Sequence, residues 1–374
     1  MTEREVVPVR PDFSAADIGT ILGSIRTALE TGQLAQGEEV AAFEREMAAY
    51  TGARHAVALA SGTAALVCGL RALAERGTGE VLVPANSFYS TAAAPLLAGL
   101  RTRLVDVEAK TFAPSVETLE RAVTEDTVGV LVVHMGGLIT PELRAIADWC
   151  EARGLWLFED CAHAHGSRLD GVHAGNFGVA GAFSFFATKV LTCAEGGMLT
   201  TDDDELAAAI GLYRNLGKTE AWRSHHTVLG ENARMSELHA AVGRAQLRRL
   251  DEFLGVRQRL ADRYTAGLSR LPGLTPVLPS HTPASWYKYA VLLEPAVDRA
   301  ALKAALKEAG VRLGGEIYEM PLDAQPVFAD RIPRDTRHPV SEDVCARHIC
   351  LPLHTRMSED DVDFVVTALE KNLT

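Results

Sequence analysis

Short apolar runs alternate along this chain with stretches in which apolar residues recur every three or four positions. Residues 56–60 read as a short strand and 63–76 as a helix. Residues 80–84 form the next strand, closed by Pro84, and 103–107 form another. Residues 128–133 are a continuous apolar run, as a strand covered on both faces should be. A helix over 141–153 carries Pro141 near its start, and 155–159 follow as a strand. Residues 182–186 and 197–201 add two strands, and 203–215 a helix. This alternation predicts an α/β fold, a mostly parallel sheet with helices on both sides.

From 234 to 263 the pattern predicts one long amphipathic helix, with Met235, Leu238, Val242, Leu247, Leu250 and Phe253 among its apolar positions. Beyond it come one strand (287–293), a helix (299–308), a proline-rich stretch and a last helix (359–371). We therefore expect a large domain over 1–250, N-terminal segment included, and a smaller C-terminal α/β domain over 251–374. Internal repeats and low-complexity tracts are absent.

Composition narrows the function. At 374 residues, with 47% hydrophobic and 23% charged residues, the chain is ordinary for a globular protein of more than one domain. The net charge is −12 and basic residues are not clustered, which excludes nucleic acid as a natural partner. The start, Met1-Thr2-Glu3-Arg4-Glu5, does not read as a signal peptide. The most apolar stretch, 56–70, is too short to span a bilayer and is interrupted by Ser61-Gly62-Thr63. A cytoplasmic protein that avoids membranes is expected. Six cysteines, at 68, 150, 161, 193, 345 and 350, form no C-x-x-C pair and read as reduced, buried small hydrophobes.

Four constellations carry candidate chemistry. Ser61-Gly62-Thr63-Ala64 falls between a strand and a helix, where free backbone N–H groups and the helix dipole favour an anion. Simple helix capping by Ser61 or Thr63 explains the same residues. Ser87-Phe88-Tyr89 follows a strand, so Phe88 could stack on a flat ring or pack as ordinary core. Glu159-Asp160-Cys161-Ala162-His163-Ala164-His165 offers metal ligands in Asp160, His163 and His165. A metal there would leave Lys189 and the 61–63 turn without roles. The fourth runs from Ser184, at a strand end, through Lys189 to Gly196-Gly197. A strand-end acid and a lysine on the next loop are what pyridoxal phosphate needs, the lysine for its Schiff base and Asp160 to keep its ring nitrogen protonated.

Together these motifs resemble the DegT/DnrJ/EryC1/StrS family of pyridoxal-phosphate sugar aminotransferases, within fold-type I. The match runs from about Val6 to the C-terminus. It takes in Thr31-Gly32-Gln33-Leu34, Phe43-Glu44, Ser61 to Leu66, Val83-Pro84-Ala85, Val133-His134, Glu159 to Gly166, Ser184 to Lys189, Glu195-Gly196-Gly197 and Asn232 to Leu238. Each piece is weakly specific, and their order and spacing are highly specific.

The resemblance implies that Lys189 carries the cofactor and that Asp160 holds its ring nitrogen. It implies that Phe88 stacks on the ring, that His163 lies near the phenolic oxygen, and that Ser61, Gly62, Thr63, Ala64 and Ser184 form the phosphate site. Asn232 would reach the cofactor phosphate of the neighbouring subunit, making a homodimer with shared sites. The amino donor would be glutamate or glutamine, and the acceptor a keto sugar, usually nucleotide-linked, or a keto cyclitol. His163 stands where the family often has Gln, as in the cyclitol and aminohydroxybenzoate branches, which puts the acceptor in doubt and not the cofactor. A lyase or aromatising dehydratase on the same cofactor is the alternative. One sugar-dehydratase branch has His in place of the lysine, and this chain keeps Lys189.

Overall fold

The structure is a computed structural model that describes residues 4–220, 223–334 and 336–373. Helices α1 (Ala15–Thr31) and α2 (Glu38–Thr51) lead into strand β1 (His55–Leu59) and helix α3 (Gly62–Ala74). Strand β2 (Glu80–Pro84), helix α4 (Tyr89–Leu97), β3 (Arg101–Val105), α5 (Val116–Ala122) and β4 (Thr127–Val133) continue the alternation. Then come α6 (Leu143–Glu151), β5 (Trp156–Asp160), the hairpin β6 (Arg168–Leu169) and β7 (Val172–His173), β8 (Ala180–Ser184), β9 (Gly197–Thr201) and α7 (Asp204–Arg214).

Seven strands form one sheet in the order β1-β9-β8-β5-β4-β2-β3. β9 runs antiparallel to β1 and β8, and the pairs from β8 to β3 are parallel. This is the mostly parallel α/β sheet expected. Its central strands are apolar on both faces because each face has its own core. On β4, Leu131 and Val133 enter one core, and Val130 and Val132 the other. Alternate side chains of a strand point to opposite faces, so a continuous apolar run is the sequence of a strand sandwiched by helices.

The long helix expected over 234–263 is a correction. Two helices stand there, α8 (Glu237–Leu247) and α9 (Leu250–Leu268), separated at Arg248 and Arg249. Arg249 has φ −105° and ψ 4°, off the helical path. Its guanidinium reaches Asp17 of α1 at 2.7 Å and Asp12 at 3.6 Å. Apolar periodicity runs through the break unchanged. The partners that accompany it lie more than two hundred residues away in sequence, beyond the reach of a periodicity argument. At the other end, Ser236 caps α8, and the buried Glu237 carboxylate accepts N–H bonds from Gly37, Glu39 and Val40, tying α8 to the start of α2.

After α9, β10 (Leu274–Pro276), β11 (Tyr289–Leu293) and β12 (His348–Leu351) form a small antiparallel sheet. Helices α10 (Arg299–Glu308), α11 (Pro339–Arg347) and α12 (Glu359–Asn372) complete this part. Val6 bridges Val311, so the N-terminal segment also joins it. One apolar core runs from Leu131 and Phe158 of the large sheet to Tyr289 and Val291 of the small one. We propose that the domain division falls at 250/251, where α9 begins. All six cysteines are buried and unpaired. Among the described residues no helix is long and apolar enough to cross a membrane.

Candidate active site

β1, β2, β4, β5 and β8 point the same way, so the residues that follow them gather at one end of the sheet, where open α/β sheets hold ligands. A cavity of about 360 Å³ opens there. It is lined by Ser61, Gly62, Thr63, Phe88, Asp160, His163, Ser184 and Lys189. Every site residue expected from sequence is thus in its wall except Ala64 and Asn232.

The turn after β1 bears out the helix-capping reading. Ser61 caps α3, its Oγ accepting the Ala64 N–H at 3.1 Å, which takes up the amide expected to meet a ligand. Gly62 and Thr63 begin the helix at the cavity wall, where its dipole favours an anion. A Cβ on Gly62 would stand 2.6 Å from Ser184 Cβ, so only glycine lets β8 approach. Thr63 Oγ1 shares a 2.7 Å hydrogen bond with Ser90 Oγ. The cradle holds hydroxyls and N–H groups and fits a phosphate.

Asp160 is the last residue of β5, and its side chain is buried. Oδ1 accepts the Ala162 N–H at 3.1 Å and Oδ2 accepts the Thr91 hydroxyl at 3.0 Å. Thr91 in turn accepts from Ser87 Oγ at 2.8 Å, so the hydroxyl chain points its protons at the carboxylate. Burial pushes the carboxyl up from its ordinary range, while these two hydrogen bonds and Lys189 oppose the shift. A buried carboxylate on a cavity wall fits a protonated ring nitrogen, whose charge would relieve the burial.

Lys189 sits one turn beyond β8 and is partly buried. Burial lowers its ammonium to about 8, with Asp160 opposing and Lys288 assisting. About a tenth of such an amine is neutral at pH 7, enough to act as a nucleophile. His163 stacks on Tyr287 with centroids 4.3 Å apart. Its Nδ1 accepts the Gly136 N–H, which leaves Nε2 to donate toward the Tyr318 hydroxyl at 3.4 Å. Burial, with Lys189 and Lys288 nearby, holds this imidazole neutral well below its ordinary value. Phe88 is half exposed and leans on Tyr318 at 5.5 Å. Asn232 is exposed, outside the cavity, in a backbone bridge with Asn215, and it is not a helix cap because Ser236 caps α8.

Asp160, His163 and His165 do not converge on one point among the described residues. Asp160 and His163 line the cavity, and His165 packs against Phe183 and Phe185. The three-ligand metal alternative therefore has no common centre. Among the described residues one other group converges, His134, Glu159 and Cys161. There Glu159 is already bound by His134 Nε2 at 2.9 Å and by the N–H groups of Gly175, Phe177 and Gly178. Neighbours on a strand thus divide the work, Glu159 anchoring the 175–178 loop on one face and Asp160 facing the cavity on the other. Glu159→Ala is expected to cost about 3–5 kcal/mol of stability, because buried donors lose their acceptor together. Urea denaturation measures this, and a loss under 1 kcal/mol would contradict the anchoring role.

Sequence reasoning assigned no role to Glu195, though it named the motif, and missed Thr91, Tyr287 and Tyr318, all four in the cavity wall. Thr91 lies three residues past Phe88 on α4, so the helical repeat could have found it. The two tyrosines come from the C-terminal part, and no local pattern marks them.

The sequence profile of the DegT/DnrJ/EryC1/StrS aminotransferase family matches residues 17–370. The chain is 34% identical to a UDP-N-acetyl-3-dehydro-alpha-D-glucosamine 3-aminotransferase of Acidithiobacillus ferrooxidans, over 100% of both chains. It is 34% identical to a dTDP-4-dehydro-2,3,6-trideoxy-D-glucose 4-aminotransferase of Saccharopolyspora spinosa, over 94% of this chain and 93% of that one. The crystal structure of the aminotransferase TlmJ from Streptoalloteichus hindustanus superposes with a TM-score of 0.89 at 31% identity, over 98% of each chain. Sheet, cavity and relatives agree: this chain belongs to the DegT/DnrJ/EryC1/StrS aminotransferase family, pyridoxal-phosphate-dependent enzymes of fold-type I.

Proposed function

We propose that this enzyme moves an amino group from glutamate or glutamine to a nucleotide-linked keto sugar, using pyridoxal phosphate held in the cavity at the end of the large sheet. The observation that carries the reading is the placement of Lys189, Asp160 and the α3 N-terminus in the wall of one cavity. Pyridoxal phosphate supplies an electron sink once its ring nitrogen is protonated. Asp160 keeps that proton in place. Ser61, Gly62, Thr63 and Ser184, with Ala64 once Ser61 releases its amide, hold the phosphate. Phe88 would offer its ring to the cofactor ring, and neutral His163, with its Nε2 proton, would serve as a donor to the phenolic oxygen. Lys189 would hold the cofactor through its amine and, when that amine is free, would take up and return the proton at the substrate carbon as base and then acid. The nucleotide-linked sugar comes from the names of the two enzyme relatives, and His163 keeps keto cyclitols in the acceptor screen.

The test is direct. Purified protein with pyridoxal phosphate should be yellow, consume glutamate or glutamine one-for-one with acceptor, and release the matching keto acid. Product formed without donor consumption would favour the lyase alternative.

We also propose a homodimer in which Asn232 completes the partner's phosphate site. Exposed Ile18, Leu22 and Leu29 of α1 and the 92%-exposed Leu229, three residues before Asn232, support a buried face between copies. An amide donates to phosphate without burying another charge. Mixing Lys189→Ala with Asn232→Ala after mild dissociation tests this. If Asn232 serves the other subunit, each hybrid has one intact site and recovers about half its native activity. No recovery, or a monomer by light scattering, would defeat the proposal.

A further inference from the structure

Among the described residues the Lys189 ammonium has no hydrogen-bond or ion-pair partner; it meets an aromatic face instead. Its Nζ lies 4.6 Å from the centroid of the Tyr287 ring. The phenol oxygen of that ring shares a 3.1 Å hydrogen bond with Thr188 Oγ1, one residue before the lysine. His163 stacks on the same ring. Lys288 Nζ lies 5.4 Å from its centroid. Tyr287 leads into β11, so the C-terminal part of the chain supplies this surface to a lysine carried by the large sheet.

A lysine stem has four rotatable bonds, and an ammonium without an acceptor has nothing else to select one direction. The negative face of an aromatic ring attracts it, more strongly where water is partly excluded. Asp160 attracts the ammonium from β5, and Lys288 repels it. Both act without a directed bond. We infer that Tyr287 is the positioning residue for Lys189: the ring face selects the direction of the amine, and the stacking of His163 and the bond to Thr188 hold the ring. The inference rests on the proposed role of Lys189. Tyr287 acts through that lysine.

The experiment follows covalent capture of pyridoxal phosphate by full-length protein stripped of cofactor. After the ammonium gives one proton to solvent, the neutral Lys189 Nζ bonds to the aldehyde carbon. The amine's two remaining protons leave with the aldehyde oxygen as water, and borohydride then delivers a hydride that fixes the link for mass spectrometry. Tyr287→Phe keeps the ring and should capture within about twofold of the unmodified rate. Tyr287→Leu should be slower by roughly threefold or more when all variants are compared at about pH 10, where the amine is largely neutral in each and its orientation is what differs. Tyr287→Met, a flexible apolar filler, carries the same expectation should the leucine variant fold poorly. Affinity for 4′-deoxypyridoxine phosphate, which lacks the aldehyde, should be the same in all of them. Capture by the leucine and methionine variants as fast as by the phenylalanine variant would overturn the inference. So would an equal loss of affinity for the deoxy analogue, which would make Tyr287 merely part of the cavity wall. A borohydride label on another lysine of the unmodified protein would overturn the assignment of Lys189 itself, and this inference with it.

Discussion

Lys189→Ala is expected to give a folded protein whose turnover is lower by about 10⁴-fold or more. Two functions are lost at once, covalent attachment of the cofactor and movement of the proton at the substrate carbon. Nothing else in the wall replaces them. His163 is held neutral by burial, with Nδ1 engaged by Gly136, and Lys288 is not in the cavity wall. The fold should be indifferent to the change, since the ammonium has no ion pair among the described residues and is disfavoured by burial. Thermal unfolding should therefore shift little while activity disappears. Borohydride treatment of the unmodified protein should place the added mass on Lys189, and the alanine variant should take up none. Substantial turnover by Lys189→Ala would end the mechanism proposed here.

Asp160→Asn is the second large effect, a loss of roughly a hundredfold or more with the fold intact. The amide has the shape of the carboxylate but not its charge. It leaves a ring-nitrogen proton without a counter-charge in a buried setting, where such a charge matters most. The surrounding network also objects. Ser87 donates to Thr91, and Thr91 donates to Asp160 Oδ2. An amide NH₂ at that position must donate in its turn, so the hydroxyl chain must reverse, or the amide must turn and leave the Ala162 N–H facing NH₂. Either adjustment is local, which is why the protein should still fold. Steady-state kinetics beside circular dichroism measures both halves. Near-normal turnover in a folded variant would remove Asp160 from its assigned role.

Much of this was legible before any coordinates. The apolar run over 128–133 announced a strand covered on both faces, and β4 is one, its alternate residues split between two cores. Ser61-Gly62-Thr63 announced a strand-to-helix turn because capping and glycine freedom are properties of neighbouring residues. The register of Glu159 and Asp160 was less legible. Two adjacent acids look alike in sequence, and only the strand decides that one faces a backbone loop and the other a cavity.

The sequence by itself determined the strands, the helices and the turns that carry Lys189, Asp160 and the glycine cradle, because period, capping and turn chemistry act over a few residues. Tertiary structure decided the rest. It broke the expected 234–263 helix at Arg249, next to acids of the N-terminal segment and α1. It bridged Val6 to Val311. It set Tyr287 against a lysine nearly a hundred residues earlier. These contacts depend on which surfaces meet when the apolar faces are buried together, and that choice is made by the whole chain and is not written in any one segment of it.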